Sequence, residues 1–215
     1  MSGRSGPALP APPTDLEGFP EERLAAGADV CRAVGTGRGA WWFACTGEGR
    51  FDLRMPYGTC YLAYHPRVAV RERLGPVFAQ GGIIPSNTME EMELVYLKLP
   101  DPSTLADLCH EDAADFGAIR ELASGSWDDY SLTNDWAEAF RGHGFDGVQY
   151  LARFSSGRGP DAVGLFGDAG AQDWPEEERV TGEAAFDLAG LIDRVAPIPH
   201  SSATRILPPP GSAAG

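Results

Sequence analysis

A turn, a strand and a helix follow one another within residues 49–72, and together they bring a basic residue, an aromatic and a carboxylate into one compact unit. Gly49-Arg50-Phe51-Asp52 reads as the turn, with Gly and Asp supplying the local chemistry. Tyr57-Gly58-Thr59-Cys60-Tyr61-Leu62-Ala63 reads as the strand, and His65-Pro66 opens the helix. Proline suits a first helical turn, where its missing N–H has no partner to lose. Val68 and Glu72 stand four apart and share one face of that helix. A carboxylate is therefore carried on or beside the apolar side, where it is costly unless something pairs with it. One cation, one aromatic ring and one carboxylate meet in this unit, the kinds of group that a pocket for a charged, ring-bearing small molecule uses.

The rest of the chain intersperses strands and helices without repeating βαβ units. Val30-Cys31-Arg32-Ala33-Val34 predicts a strand, and an arginine flanked by Cys31 and Ala33 there needs a partner. Gly35-Thr36-Gly37-Arg38-Gly39 is glycine-rich but lacks a following Gly-Lys-Ser/Thr and opens no helix, so it is not a P-loop. Trp41-Trp42-Phe43 is core or pocket wall. Residues 76–91 read as an irregular segment over the pocket, 93–99 as a strand ended by Pro100 and Pro102, and 103–108 as a strand or turn. Residues 112–123 predict an amphipathic helix on Phe116, Ile119 and Leu122, and 134–142 another on Trp136, Ala137 and Phe140. Strands are expected within 146–151 and 162–166, and a last short helix over 188–195. These elements predict a single α+β domain over 28–207, with a mixed, mostly antiparallel sheet and flanking helices. The Pro-, Gly- and Ala-rich ends, 1–27 and 208–215, are expected to be a disordered leader and tail.

Charge excludes whole classes of partner. Seventeen Lys and Arg stand against 31 Asp and Glu, a net charge of −14. A nucleic-acid binder needs a basic footprint, and an anionic membrane surface attracts one, so neither is expected. An anionic ligand would need arginines gathered in a cleft to override this background. No run approaches the roughly 18 apolar residues of a membrane span, and the N-terminal residues contain no apolar signal-peptide core. The cysteines, at 31, 45, 60 and 109, form no CxxC pair and read as reduced core thiols of a cytoplasmic protein. The histidines, at 65, 110, 143 and 200, lack metal-ligand spacing, and no metal is expected.

With these residues in place the chain resembles the RES-domain family of bacterial proteins, many of them toxins of toxin–antitoxin pairs. The resemblance rests on Cys31-Arg32-Ala33-Val34, Trp42-Phe43, Gly49-Arg50-Phe51-Asp52, Tyr57-Gly58-Thr59-Cys60-Tyr61-Leu62-Ala63 and Ala69-Val70-Arg71-Glu72. It continues through Asp129-Tyr130-Ser131, Trp136-Ala137, Asp146-Gly147-Val148-Gln149-Tyr150 and Gly164-Leu165-Phe166, roughly residues 30–167. The resemblance implies a fold like the catalytic core of ADP-ribosyltransferases. It also implies an enzyme that consumes NAD as substrate, without a bound cofactor, by hydrolysis or phosphorolysis of the nicotinamide–ribose bond. Transfer of ADP-ribose to a protein, or a non-catalytic NAD-binding module, are the alternatives it leaves open. A neutralising antitoxin protein is the partner that the family carries.

The Arg, Glu and Ser that name the family fall on Arg32, Glu72 and Ser131. Cleaving the nicotinamide–ribose bond builds positive charge on the ribose, as in other glycosidic cleavages, and Glu72 would face it. On the residues alone, Glu72 reads rather as a helix-surface carboxylate paired with Arg71 or Arg73, and the resemblance reverses that preference. Arg32 and Arg50 would grip the diphosphate, because a guanidinium fork matches phosphate oxygens. Tyr61 would offer a flat face and a hydroxyl to the ligand, or is a core tyrosine. Ser131 would hold a phosphate or ribose oxygen, or is an ordinary helix cap.

Overall fold

The computed structural model describes residues 9–79, 81, 83–124, 130–155 and 159–197. The chain enters through β1 (Glu21–Leu24) and β2 (Asp29–Gly35), then the short β3 (Trp42–Phe43) and the long β4 (Tyr57–Ala63). Helix α1 (Pro66–Leu74) follows, starting where proline allows, with its buried side formed by Val68, Ala69, Val70 and Leu74. Next come α2 (Pro76–Ala79), β5 (Ile84–Pro85) and α3 (Ser86–Glu90), then β6 (Met92–Lys98) and β7 (Ser103–Asp107). After a 3-10 turn at Glu111–Phe116 the chain forms α4 (Arg120–Ser124), α5 (Ser131–Gly142), β8 (Gly147–Tyr150), β9 (Ala162–Asp168) and β10 (Gly170–Ala171). It continues through β11 (Glu178–Thr181), α6 (Gly182–Leu188), a 3-10 turn at Ile192–Arg194 and β12 (Val195–Ala196).

Among the described residues the main sheet has eight strands in the order β1-β7-β8-β9-β4-β2-β6-β11. Every neighbouring pair is antiparallel except β7 with β8, the mixed but mostly antiparallel α+β sheet that the sequence predicts. One junction matters for function. Strand β4 pairs with β9 along seven residues, from Tyr57↔Asp168 to Ala63↔Ala162, and β2 pairs with β6 from Asp29↔Lys98 to Gly35↔Met92. Strands β2 and β4 meet only at Cys31↔Ala63. Beyond that pair they splay, and the middle of the sheet opens.

Side chains alternate across a strand, so β2 feeds two cores. Cys31 joins Ala63, Val70, Leu94 and Phe186 on the face covered by α1 and α6. Val30 and Val34 join Cys60, Leu62, Trp41 and Phe43 on the other face. Trp174 closes that second core, 5.1 Å from Trp41 and 5.5 Å from Phe43 between ring centroids.

Several expectations change. Order begins well before residue 28: β1 pairs with the edge strand β7, and Leu16 and Phe19 are buried, because Phe19 packs against Phe116, Phe140 and Phe145. The expected helix over 112–123 is broken at Gly117, whose φ of 87° ends the 3-10 turn in a left-handed conformation. The described residues of 76–91 supply two short helices and β5, and none of them lines the main cavity; Phe78 there packs under Arg71 and Arg194. The last helix lies earlier than 188–195, since Thr181 Oγ1 accepts from Ala184 N and caps α6. Cys31 and Cys60 are core thiols, but Cys45 is half-buried and Cys109 exposed. The expected tail, 208–215, lies outside the described residues.

Candidate active site

Where β2 and β4 part, a cavity of about 320 Å³ opens between them, α1 and the 48–50 loop. The structure brings four of the five expected residues to its wall: Arg32, Arg50, Tyr61 and Glu72. Ser131 is not among the lining residues; it is the exposed first residue of α5, and its neighbour Tyr130 lines the cavity in its place.

Glu72 arrives from the last turn of α1, half-buried, with neither Arg71 nor Arg73 as an ion-pair partner among the described residues. Its Oε1 accepts from Phe154 N at 2.6 Å, and Oε2 has no protein hydrogen bond among the described residues. Burial pushes its pKa up from the ordinary 4.5; the Phe154 amide and the positive charge of Arg50 act against that shift. The loop that delivers the Phe154 amide is itself fixed by Asp161. One carboxylate oxygen accepts from Ala152 N at 2.6 Å and the other from Ser155 Oγ.

Arg50 is held by its loop rather than by a carboxylate. Its guanidinium carbon lies 5.7 Å from the centre of the Tyr130 ring, within cation–π range. Its Nη1 is buried and has no hydrogen-bond partner among the described residues. An unsatisfied buried donor is expensive, and the residue that carries this one also lines the cavity.

The residue that fixes the Arg50 loop is Asp52, which sequence reasoning passed over. It is 1% exposed and saturated: Oδ2 accepts from Gly47 N, Gly49 N and Thr46 Oγ1, and Oδ1 accepts from Tyr61. The Tyr61 hydroxyl donates to Asp52 at 2.7 Å and accepts from Phe51 N at 2.9 Å. That corrects the expectation of a ligand-directed hydroxyl: Tyr61 gives the cavity only its ring. The sequence carried little signal for this, since a turn aspartate ordinarily binds an amide that follows it, whereas Asp52 reaches back to Gly47 and Gly49.

Arg32 also has a structural duty. Alternation along β2 places it on the face of Val30 and Val34, opposite α1. Its Nη1 donates to Ala40 O at 2.6 Å and Trp42 O at 2.9 Å, and lies 3.2 Å from Cys60 Sγ. One guanidinium nitrogen thus ties β3 and β4 together beneath the gap, and Arg32 also lines the cavity. Tyr150, 6% exposed, completes the wall with its ring 5.2 Å from Phe51, and burial and the neighbouring Glu72 raise its pKa.

Among the described residues no group of His, Cys, Asp and Glu is arranged to hold a metal, and no helix is long and apolar enough to cross a membrane. A family model described as the RES domain matches residues 29–186. The match runs from β2 into α6, and so takes in the acidic segment after β9. No curated protein sequence matches the chain. Among solved structures, the crystal structure of the M. tuberculosis MbcT–MbcA toxin–antitoxin complex is similar. It has a TM-score of 0.55 and 17% identity, covering 78% of this chain and 92% of that chain. At that identity the likeness is one of fold.

Proposed function

The chain belongs to the RES-domain family, and from that premise we propose that it is an enzyme cleaving the nicotinamide–ribose bond of NAD. One observation carries the reading. A half-buried carboxylate, Glu72, and Arg50, whose buried Nη1 has no hydrogen-bond partner among the described residues, line one cavity at the parting of β2 and β4. A positively charged ribose next to a diphosphate asks for that pair of charges.

In the reaction the C1″–N bond breaks, its electron pair leaves with neutral nicotinamide, and positive charge spreads over C1″ and the ring oxygen. Glu72, anchored through Oε1, turns Oε2 toward that charge or toward a ribose hydroxyl. Water or phosphate then bonds to C1″, and a water acceptor releases its proton. Arg50 holds the diphosphate, with the remaining N–H groups of Arg32 beside it. The rings of Tyr61, Tyr130 and Tyr150 wall the site and narrow the access of bulk water. Ser131 contributes, on this reading, by starting α5 immediately after Tyr130, on whose ring Arg50 rests.

The fold shared with a chain of a toxin–antitoxin complex supports reading this enzyme as a toxin with a protein antitoxin as partner. Incubating the purified chain with NAD, with and without phosphate, and weighing the products tests the chemistry. Nicotinamide with ADP-ribose identifies water as acceptor, and nicotinamide with ADP-ribose 1″-phosphate identifies phosphate. Glu72→Ala is expected to slow release by about 100-fold or more. Folded wild-type chain that leaves NAD intact in both conditions ends the proposal, and ADP-ribose retained on protein replaces it with a transferase.

A further inference from the structure

A second cavity, of about 440 Å³, adjoins the first; Arg32, Ala33 and Arg73 line both. The glycine-rich turn at 35–39 forms part of its wall, so this stretch, rejected as a P-loop, is placed at a site after all. Three of its backbone amides are already engaged. Glu93 Oε2 accepts from Gly37 N at 3.0 Å, Thr36 N donates to Glu91 O, and Arg38 N donates to Gly35 O. Arg179 fastens the turn from β11, donating to Arg38 O at 2.8 Å while bridging Glu93 and Glu176. Recognition of a ligand here therefore falls mainly to side chains.

Those side chains have a distinct chemistry. Trp41 and Phe43 are buried, whereas Trp42 between them is 53% exposed and lines the cavity. Arg38 and Arg73 stand beside it with no ion-pair partner among the described residues, in a chain whose net charge is −14. Gln172 donates its Nε2 to Asp168 O at 3.1 Å, which leaves Oε1 as an acceptor. A flat aromatic platform, unpaired cations and an amide acceptor suit a base with an exocyclic amine, joined to phosphate.

We propose that this second cavity binds the adenosine-phosphate half of the dinucleotide, with the adenine against Trp42 and its amine toward Gln172. The proposal rests on the NAD reading above and extends it. Sites for drug-sized ligands span roughly 300–1,000 Å³, and the first cavity, about 320 Å³, is at the small end for a molecule with two nucleoside halves. The shared residues Arg32 and Arg73 then fall at the junction, where a diphosphate joining the two halves must pass.

Direct binding to the full chain tests this without any turnover. AMP and nicotinamide mononucleotide are titrated separately by calorimetry into wild type, Trp42→Ala and Trp42→Phe, with thermal melting to establish that each is folded. Trp42→Ala is expected to weaken AMP about tenfold, Trp42→Phe to restore most of that loss, and nicotinamide mononucleotide to bind alike in all three. Failure of AMP to bind wild type, equal AMP affinity in wild type and Trp42→Ala, or equal weakening of both nucleotides by Trp42→Ala overturns the assignment. Wild type that binds AMP through Trp42 yet releases no nicotinamide upholds this subsite and sinks the proposed reaction, so the two fail separately.

Discussion

A carboxylate kept half-buried at Glu72 costs the fold what the chemistry gains from it. Burial raises its pKa, so between the ordinary value of 4.5 and the raised folded value the native state holds more protons than the unfolded chain. Stability therefore falls as pH rises through that interval, and above it the ionised group remains a burden. Glu72→Gln keeps an oxygen for the Phe154 amide and removes the charge. We expect it to melt at the same or a higher temperature than wild type at neutral pH, with the difference shrinking as pH falls through the interval, while nicotinamide release is lost. A lower melting temperature at neutral pH would show that the charge is stabilising. At this scale the sequence was a partial guide. It pointed to Glu72 because a carboxylate four residues from Val68 on a helix face needs an explanation. It misjudged the Tyr61 hydroxyl, because nothing local reveals that Asp52 and Phe51 N already use both its hydrogen-bonding capacities.

The elements that aim these groups were legible wherever their cause was local. The strand at 57–63 and the helix opening at Pro66 follow from composition, alternation and proline's missing donor. The helix break at Gly117 was hidden, because Phe116, Ile119 and Leu122 keep helical spacing across a glycine whose positive φ is fixed only by its surroundings. The parting of β2 from β4 was hidden for a deeper reason: strand pairing between distant segments leaves no mark on either segment alone. The 46–52 loop lies between these cases. A Cβ at Gly49 would overlap Asp52 and the Tyr61 hydroxyl, so glycine is needed where the loop closes on its aspartate. Asp52→Asn tests whether that closure positions Arg50. Its amide can keep one acceptor but turns an NH₂ toward either the Gly47 and Gly49 donors or the Tyr61 hydroxyl. A hydrogen bond to a charged group is worth about 1.5–3 kcal/mol. If most of that loss appears as misplacement of Arg50, KM for NAD should rise about tenfold or more, with a smaller change in kcat. Equal KM values in folded Asp52→Asn and wild type would confine Asp52 to a structural role.

At the scale of the molecule, charge and chain ends carry the remaining argument. The acidic surface and the arginines of the central cavities are compatible because the fold gathers Arg32, Arg38, Arg50 and Arg73 from separate segments around two adjoining cavities. The N-terminal segment is the converse case, where composition misleads. Its prolines, glycines and alanines predict a leader through residue 27, yet the structure uses residues 10–24 as an integral wall. Pro10 O accepts from Trp136 Nε1 at 3.0 Å, Leu16 and Phe19 are buried, and β1 covers the edge of β7. Two buried side chains among many polar or small neighbours escape a reading based on averages. Burying each is worth about 1.5–3 kcal/mol, so losing both removes roughly 3–6 kcal/mol before the β1 hydrogen bonds are counted. That is a large share of the 5–15 kcal/mol by which a typical domain is stable. A chain beginning at residue 28 should therefore unfold at markedly lower urea than the full chain, and expose Phe116, Phe140 and Phe145 to hydrophobic dyes. Coincident urea transitions for the two chains would mean that the segment is only laid against the domain and contributes nothing to holding it together.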